Sequence, residues 1–422
     1  MTAPLHRRSI LGGLAGLAVM PGFAARSQSR ASVIVVGGGF GGATAARFLK
    51  RYGPALQVTL VEPNKTFVSC PFSNLVIGGT RDLSRQEFGY DGVRRDGVEV
   101  VHDRALDVDA VAKTVELAGG QMLSYDRLVL SPGVQIDWTG LEGYDEAAAE
   151  IMPHAWKAGE QTALLRRQLE AMDDGGLVVM TAPPAPFRCP PGPYERASLI
   201  AHYLKTQKPK SKLLVLDAKD DFSKKPLFLA EWAARYGDIL EWRGGSDDGR
   251  VIRVDADTKT LETDFDQVQA EVANVIPPQK AGEIAVRAGV VDQTGWCPID
   301  ATSFESPLQP DIHVIGDATI AVPMPKSAFS ANLQAKVCAL QIVRLMSGLA
   351  PEPTVLANTC YSYVAPDAAI SIAGVYTNEG GAFANVPGTG GVSPADPGPG
   401  GREQEAVQAA DWFRAITAET FG

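Results

Sequence analysis

The 422-residue sequence has few of the features that indicate metal or nucleic-acid binding. Its five histidines are scattered, and no group of cysteines and histidines has the spacing of a metal site. There is no CxxCH motif, so the chain attaches no c-type haem by that motif. The formal net charge is -10 and no basic run occurs beyond the N-terminus, whereas phosphate neutralisation needs clustered cations. We therefore expect no nucleic-acid partner, no metal and, for lack of a later long apolar run, no membrane span.

An export signal is predicted at the N-terminus. Arg7 and Arg8 precede an apolar run at 10–19, and small residues follow at 24–25. The segment RRSIL resembles the twin-arginine type, which exports proteins already folded around a cofactor; an ordinary secretory signal is the alternative. We therefore expect residues 1–28 to be a signal outside the fold, and the protein to be periplasmic.

The next segment has the pattern of a dinucleotide-binding unit. A β-branched run, SVIVV, is followed by GGGFGG, a helical stretch and a second predicted strand, QVTLVE. Gly37 permits the tight turn, Gly39 lets the backbone approach a pyrophosphate, and Gly42 lets the helix pack close to the strand. The pyrophosphate is expected at the helix N-terminus, and Glu62 can accept a hydrogen bond from a ribose hydroxyl.

Two later segments favour FAD as the dinucleotide. YDRLVLSPG at 125–133 and DIHVIGDAT at 311–319 are each predicted to be a strand that ends in a turn. With them the chain resembles the two-dinucleotide-binding-domain flavoproteins, the disulfide reductase superfamily. That resemblance implies FAD and places Asp317 at the ribityl-phosphate region. A helix over 325–346, with Pro325 in its first turn, would point its N-terminus at the flavin.

The second predicted βα unit lacks a nucleotide motif. The strand at 176–180 runs into TAPPAPFRCPPGPYERA, in which prolines stand where phosphate-binding glycines are expected. Proline has no N–H to donate to a pyrophosphate. The next strand is predicted at 212–218. This unit is expected to be a scaffold without its nucleotide, so NAD(P)H is not expected as the electron partner.

The expected fold class is α/β, with two Rossmann-like dinucleotide-binding domains, the FAD domain being discontinuous, plus a C-terminal α+β domain. The predicted boundaries are 29–142 with 279–350 for the FAD-binding domain, 143–278 for the degenerate NAD-like domain that carries a redox cysteine, and 351–422 for the C-terminal domain. In the last, a polar final helix is expected to pack on the protein rather than on a membrane.

The five cysteines are the residues of most chemical interest. Cys189 comes just before a helix predicted to start near Pro193, whose N-terminus would stabilise a thiolate. Cys297, in a predicted core strand, and Cys338, on the apolar face of the 325–346 helix, are expected to be structural. An odd number of cysteines leaves at least one free or otherwise bonded.

The chain also resembles, over essentially the whole mature length, the flavoprotein subunit of flavocytochrome c sulfide dehydrogenase. The carriers of this resemblance are VVGGGFGGATAA, EPN, CPFSNLVIGG, YDGVR, PHAWKAGEQT, APFRCPPGPYERAS, IPPQKAG, GWCPID, HVIGDA, PMPKS and NTCYS. It implies that Cys70 is joined to the flavin 8α-methyl group, that Cys189 and Cys360 form a redox disulfide beside the flavin, and that the partner is a small c-type cytochrome.

On the residues alone, each assignment has an alternative. Cys70 can be a small buried hydrophobe, and Cys189 with Cys360 a purely structural disulfide. Glu195 lies in the first turn of its helix, where the helix dipole alone favours an acid; the other interpretation is proton transfer near the disulfide.

The function predicted is oxidation of hydrogen sulfide to sulfur or polysulfide through the redox disulfide and FAD, with electrons passed to a c-type cytochrome. Two alternatives remain open. One is a sulfide:quinone oxidoreductase, which shares the fold and a similar cysteine pair. The other is an accessory electron-transfer or activating flavoprotein of a periplasmic sulfur-oxidation system.

Overall fold

The computed structural model describes residues 31–422, so the predicted export signal lies outside the described residues. The α-helices are α1 Phe40–Tyr52, α2 Ser73–Ile77, α3 Asp91–Arg95, α4 Glu146–Ile151, α5 Glu160–Ala171, α6 Gly192–Gln207, α7 Lys225–Arg235, α8 Glu283–Arg287, α9 Ala328–Met346 and α10 Gly401–Phe421. The strands are β1 Ser32–Val36, β2 Gln57–Val61, β3 Phe67–Val68, β4 Glu87–Phe88, β5 Glu99–Val101, β6 Ala105–Asp109, β7 Thr114–Leu117, β8 Met122–Ser124, β9 Arg127–Leu130, β10 Val134–Ile136, β11 Leu177–Ala182, β12 Lys212–Asp217, β13 Leu240–Arg243, β14 Val251–Asp255, β15 Thr260–Thr263, β16 Gln267–Gln269, β17 Val272–Asn274, β18 Gln279–Ala281, β19 Ile312–Val314, β20 Val355–Ala365, β21 Ala368–Thr377, β22 Ala384–Asn385 and β23 Gly391–Val392.

A parallel five-stranded sheet in the order β19-β9-β1-β2-β5 forms the first dinucleotide-binding unit. Its central strands are runs of Val, Ile and Leu buried on both faces, as expected where helices cover a parallel sheet. Helix α1 packs against α9 within the same core. Strand β19 comes from a distant part of the chain, which makes this unit discontinuous.

The second unit is built on the same plan. Strands β13-β12-β11-β17 form a parallel four-stranded sheet. Each unit also carries an antiparallel three-stranded meander, β6-β7-β8 in the first and β14-β15-β16 in the second. The α/β fold with two Rossmann-like units is therefore confirmed.

The C-terminal part is a long antiparallel pair, β20 and β21, covered by α10. Helix α10 also contacts α1, and Phe421 at its end stacks on Phe67 and Phe88. The expected packing of this helix on the protein is thus observed. Among the described helices none is both long and apolar enough to cross a membrane.

Two local predictions were wrong. The predicted helix at 325–346 begins at Ala328, because the Ser327 side chain accepts a hydrogen bond from the Ser330 backbone N–H at 3.0 Å and caps the helix there. Pro325 therefore lies before the helix. Cys297 is buried but forms only an isolated bridge to Thr319, since Pro298 has no N–H with which to continue a strand.

Candidate active site

The turn between β1 and α1 has the geometry that the glycine pattern predicts. Gly37 has a φ of +98°, and a Cβ there would collide with the carbonyl oxygen of Ser131. A Cβ on Gly42 would likewise collide with the carbonyl oxygen of Gly37, so close helix–strand packing requires glycine. Gly39 is the N-terminal cap of α1 and lines an open cleft, where its bare backbone leaves room for a ligand.

Glu62 follows β2 directly and reaches back to the glycine turn. One carboxylate oxygen accepts the Gly38 backbone N–H at 2.8 Å, and the other accepts the backbone and side-chain N–H groups of Asn64. The predicted ribose acceptor is therefore held beside the glycine turn by donors of its own chain.

Asp317 lies in the turn after β19 and also lines the cleft. Its Oδ1 is buried without a hydrogen-bond partner among the described residues. Burial raises the pKa of this carboxyl, and the charges of Arg188 and Lys326 oppose that rise. A buried acceptor that faces a cleft suits the hydroxyl groups of a ribityl chain.

Three of the five cysteines line this one cleft. They come from three parts of the chain: Cys70 precedes α2, Cys189 precedes α6, and Cys360 lies in β20. All five cysteines are thiols in this structure. The other two, Cys297 and Cys338, are fully buried away from the cleft, in agreement with a packing role.

Cys189 occupies a constrained position between β11 and α6. Its φ of +56° is in the left-handed region, and its backbone N–H donates to the Lys326 carbonyl at 2.8 Å. Burial raises the pKa of its thiol, and the charges of Cys360 and Glu195 raise it further. The cations Arg188 and Lys224 offset this rise only in part. The expectation that a helix N-terminus makes Cys189 an activated thiolate is therefore not supported by its surroundings.

Cys360 has a different environment. The Asn358 side-chain N–H donates to its sulfur at 3.3 Å. Burial raises the pKa of this thiol, whereas the hydrogen bond from Asn358 and the charge of Lys224 lower it. The two cysteines of the predicted pair thus share a cleft but differ in how well the chain stabilises a negative charge on each.

Glu195 lies in the first turn of α6 and lines the same cleft as Cys189 and Cys360. Its carboxylate accepts from the Asn74 side chain at 2.7 Å and from the Tyr363 backbone N–H at 2.9 Å. Burial raises its pKa in spite of these donors. A carboxyl with a raised pKa beside a nucleophilic site is suited to proton transfer.

Cys70 lies on another wall of the cleft. Its sulfur is 3.7 Å from the carbonyl oxygen of Trp156, which also accepts from the Arg188 guanidinium. Trp156 is itself buried, and its indole N–H has no partner among the described residues. The thiol therefore faces open space in the cleft beside a fixed cation, rather than being enclosed in the core.

Sequence reasoning missed the cations that surround these thiols. Arg188 lines the cleft, Arg196 is buried among carbonyl and amide acceptors, and Lys224 donates to the backbone of β20. Arg188 directly precedes Cys189, and Arg196 directly follows Glu195, in the segment FRCPPGPYERA. Their place in the sequence could therefore have indicated cations near this thiol and this carboxyl. Nothing in the sequence indicates that Lys224 approaches Cys360, because that contact depends on the tertiary fold.

Trp412 of α10 reaches the cleft. It packs on Phe72 and Phe413 and also contributes to the cleft wall near Tyr361. The cleft is thus apolar on this side and charged around the thiols.

In the second Rossmann-like unit, the acid at the end of the second strand is hydrogen-bonded within the chain. Asp217 ends β12, where such a unit holds its ribose-binding acid. Its carboxylate accepts from the Tyr194 hydroxyl at 2.6 Å, from Trp242 at 3.1 Å and from Lys219 at 2.5 Å. Phe222 stacks on Tyr194 with ring centroids 3.5 Å apart. The Asp217 carboxylate, to which a nucleotide ribose would donate, therefore already accepts hydrogen bonds from side chains of this unit.

The cleft of the first unit, by contrast, fits FAD. The bare backbone at Gly39 and Gly41 leaves room for a pyrophosphate, and the unpartnered Asp317 suits the ribityl chain. Glu62 lies behind the glycine turn and is not among the residues that line the cleft. The three cleft cysteines border the space beyond them. Within residues 31–422 no group of three or more His, Cys, Asp or Glu side chains could hold a metal ion.

Three family profiles match the chain. "Pyridine nucleotide-disulphide oxidoreductase" matches residues 31–169, "Sulfide dehydrogenase (flavocytochrome c) flavoprotein chain, central" matches 162–277, and "Flavocytochrome c sulphide dehydrogenase, flavin-binding" matches 352–421. The last two describe different parts of one kind of flavoprotein, and they include the segments that carry Cys189 and Cys360.

Similar proteins of known name fall into the same group. A "Sulfide dehydrogenase (flavocytochrome c) flavoprotein chain" of Chlorobaculum thiosulfatiphilum is 61% identical over 44 residues, 10% of this chain and 92% of that sequence. The mitochondrial sulfide:quinone oxidoreductase of Mus musculus is 24% identical over 346 residues, 77% of this chain and 73% of that one.

Solved structures support the fold. The sulfide:quinone oxidoreductase of Aquifex aeolicus superposes with a TM-score of 0.72 at 18% identity and covers 92% of both chains. Putidaredoxin reductase, in its covalent complex with putidaredoxin, superposes with a TM-score of 0.63 at 16% identity, over 92% of this chain and 93% of that one. With its two-Rossmann architecture, its FAD-shaped cleft and these profile matches, the chain belongs to the family of flavocytochrome c sulfide dehydrogenase flavoproteins, within the pyridine nucleotide-disulphide oxidoreductases.

Proposed function

We propose that the protein oxidises sulfide through a redox disulfide between Cys189 and Cys360 and a FAD attached to Cys70, and that it delivers the electrons to a c-type cytochrome. One observation carries this proposal: thiols from three distant segments meet in the cleft that fits FAD. A purely structural disulfide has no need to face a cofactor cleft.

The chain's residues support a balanced reaction. Hydrosulfide attacks one sulfur of the disulfide, so that the S–S bond breaks and leaves a persulfide on one cysteine and a thiolate on the other. A second hydrosulfide takes the outer sulfur and leaves as HSS⁻, and one cysteine is then a thiol and the other a thiolate. Closure of the disulfide releases one proton and two electrons. Bound FAD supplies the acceptor for this electron pair and can pass electrons on singly.

Glu195 is proposed to take the proton that disulfide closure releases. Its raised pKa and its position by Tyr363 of β20 bring a proton acceptor close to the strand that carries Cys360. Arg188 and Lys224 supply positive charge around the thiols, which favours entry of an anionic substrate such as hydrosulfide. Glu195 would thus accept a proton, and the two cations would attract the substrate; neither role needs a direct bond to the cofactor.

The proposed acceptor is a separate cytochrome, because this sequence contains no CxxCH haem motif and the family takes its name from a flavocytochrome c. Periplasmic location, which the N-terminal pattern predicts, is part of the same proposal. Delivery of electrons to quinone is the second candidate. It is favoured by relatives named sulfide:quinone oxidoreductase and by the apolar cleft wall at Phe72, Tyr361 and Trp412.

Steady-state assays distinguish these candidates. Sulfide-dependent reduction of cytochrome c, with and without a co-purified cytochrome, is measured beside reduction of a short-chain ubiquinone analogue. The proposal predicts that cytochrome c is reduced much faster than the quinone. Faster quinone reduction would support the second candidate. Negligible sulfide turnover with either acceptor would support an accessory electron-transfer role in sulfur oxidation.

A further inference from the structure

Lys224 is a buried ammonium group beside the proposed redox pair. Only 6% of the residue is exposed, and its backbone, with a φ of +64°, caps the N-terminus of α7. Its Nζ donates to the Cys360 carbonyl at 3.2 Å, to the Ser362 hydroxyl at 2.9 Å and to the Ile370 carbonyl at 3.4 Å. These acceptors fix the amine between β20 and β21. Burial lowers its pKa to about 8, and the negative charges nearby, that of Cys360 first, oppose this fall.

The sulfur of Cys360 also has a direct hydrogen-bond donor. Asn358 turns its side-chain N–H toward the sulfur, and its carbonyl oxygen accepts from the hydroxyls of Ser327 at 2.5 Å and Ser330 at 3.1 Å. With both hydroxyls donating to the amide oxygen, the N–H₂ group is directed toward Cys360. In the thiol form, the Cys360 S–H can in turn donate to that oxygen at 3.7 Å. The surroundings of Cys360 therefore present positive charge and a donor to the same sulfur.

The sulfur of Cys189 has no side-chain hydrogen-bond donor among the described residues. The described hydrogen bonds of this residue are made by its backbone, to Lys326 and Gly192. The charged groups that face the pair include Glu195 from α6, Arg188 before α6 and Lys224 before α7. Arg196 of α6 also interacts with Cys189, and Glu405 of α10 interacts with Lys224.

The two thiols therefore differ in how their surroundings act on ionisation. Burial raises the pKa of both. At Cys360 the donor Asn358 and the charge of Lys224 work against that rise more strongly than Glu195 adds to it. Lys224 also acts on Cys189, but there the negative charges of Cys360 and Glu195 add to the rise and outweigh the cations Arg188 and Lys224.

We propose that Lys224 is a positioning residue which, together with Asn358, favours negative charge on Cys360 and makes it the more readily ionised sulfur of the reduced pair. This inference rests on the proposed function in that Cys189 and Cys360 are taken as the pair that is reduced. The step is a proton transfer alone: the Cys360 S–H bond loses its proton to solvent, and no electron moves. Cys189 keeps its proton until the disulfide closes.

The test measures ionisation without sulfide turnover. The flavin-loaded protein is treated with a phosphine to reduce the cysteine pair and is then alkylated with iodoacetamide between about pH 6 and 10, a range that spans the usual thiol pKa. Peptide mass spectrometry gives separate rates for Cys360 and Cys189. Since the thiolate is the reactive form, the faster residue at about pH 8 is the better ionised one. We expect Cys360 to react faster than Cys189.

Three variants separate charge from packing. Lys224→Met should slow alkylation of Cys360 at about pH 8 by about tenfold and move its pH midpoint upward, since loss of a nearby cation raises a thiol pKa by on the order of one unit. Lys224→Arg keeps the charge and should stay within about threefold of wild type. Lys225→Met is the matched control, because its Nζ donates to the Asp220 carbonyl and lies over Trp242, away from the pair; it should change nothing.

Should Lys224→Met not fold, Asn358→Ala tests the same idea by removing the direct donor, and it should also slow Cys360. An unchanged Cys360 rate in the Met or Ala variant, or faster alkylation of Cys189 than of Cys360 in the wild type, would overturn the inference. Sulfide does not enter the experiment. Loss of the proposed function with this alkylation pattern intact would therefore leave the role of Lys224 standing.

Discussion

The Tyr194 hydroxyl donates to the Asp217 carboxylate at 2.6 Å, across the position where the second Rossmann-like unit would hold a nucleotide ribose. Trp242 and Lys219 complete the shell of this carboxylate. NADH and NADPH should therefore fail to reduce the flavin, because binding would require these buried bonds to break. Anaerobic mixing with either nucleotide, followed at the flavin absorbance maximum, tests this. Bleaching within seconds by NADH would show that the site is functional.

The flavin should be covalently attached. Cys70 faces the cleft, and among the described residues no second cysteine lies in the segment around α2 to compete for it. Acid-precipitated wild-type protein should stay yellow, and Cys70→Ala should release FAD into the supernatant while still binding it in the native state. Cys338→Ala, at a thiol buried in the core, is the control and should keep its flavin on the precipitate. Release of flavin from the wild type would disprove the attachment.

Glu195 should set the pH dependence of flavin reduction by sulfide. Burial raises its pKa, so the base form becomes abundant only above the usual carboxyl range, and the rate should rise as the pH passes through this raised pKa. Glu195→Gln keeps a similar shape but cannot take a proton. We expect the rate of flavin reduction to fall by about a hundredfold and to lose its rise with pH. Stopped-flow measurement from about pH 5 to 8 gives both the rate of flavin reduction and its pH dependence. A Gln variant with a wild-type profile would remove Glu195 from the reaction.

Stability should fall in mild acid because of His154. Its Nδ1 accepts the Trp156 backbone N–H at 2.9 Å, and burial, with the nearby charge of Arg196, lowers its pKa to about 4. The folded state therefore binds this proton less readily than the unfolded state, so its contribution to stability is present above about pH 6.5 and is lost as the pH falls toward 4.

Between about pH 7 and pH 5 this group alone should lower the free energy of unfolding by about 2 kcal/mol. Denaturant unfolding of wild type and His154→Gln at both pH values measures it, since the variant should lose that part of the pH dependence. His102→Gln, at a partly exposed histidine on the first unit, is the control. Equal pH dependence in wild type and His154→Gln would contradict the assignment.

Much of the fold was predictable because local patterns determine it. β1 and the region of α1 follow from hydrophobic runs around a glycine turn, and the structure places Gly37 and Gly42 where the backbone leaves no room for a side chain. The start of α9 was missed because Pro325 suggests a first helical turn, whereas the Ser327 cap acts through its hydrogen bond from Ser330, which composition does not reveal.

The candidate site was predictable only in part. The cysteines and Glu195 stand out in the sequence through the family resemblance, and the structure brings Cys70, Cys189 and Cys360 to one cleft. The electrostatics were not predictable, because Lys224 reaches Cys360 from a different element and its hydrogen bonds run to backbone atoms of β20 and β21. Contacts of this kind depend on how the units pack and leave no pattern in the sequence.

The central claim is that Cys189 and Cys360 form the disulfide that sulfide reduces. Neither cysteine belongs to the proposed FAD contacts, and loss of a disulfide typically costs about 2–4 kcal/mol, so Cys189→Ser and Cys360→Ser should each fold and bind FAD. Cys338→Ala serves as the control for removal of a thiol outside the cleft.

The most direct measurement is anaerobic stopped-flow absorbance of the flavin on mixing each of these variants with sulfide. The account predicts rapid bleaching in the wild type and in Cys338→Ala, and a loss of at least about a hundredfold in both serine variants, because no disulfide remains for hydrosulfide to attack. Near-normal bleaching in both serine variants would contradict it and would mean that sulfide reacts with the flavin directly.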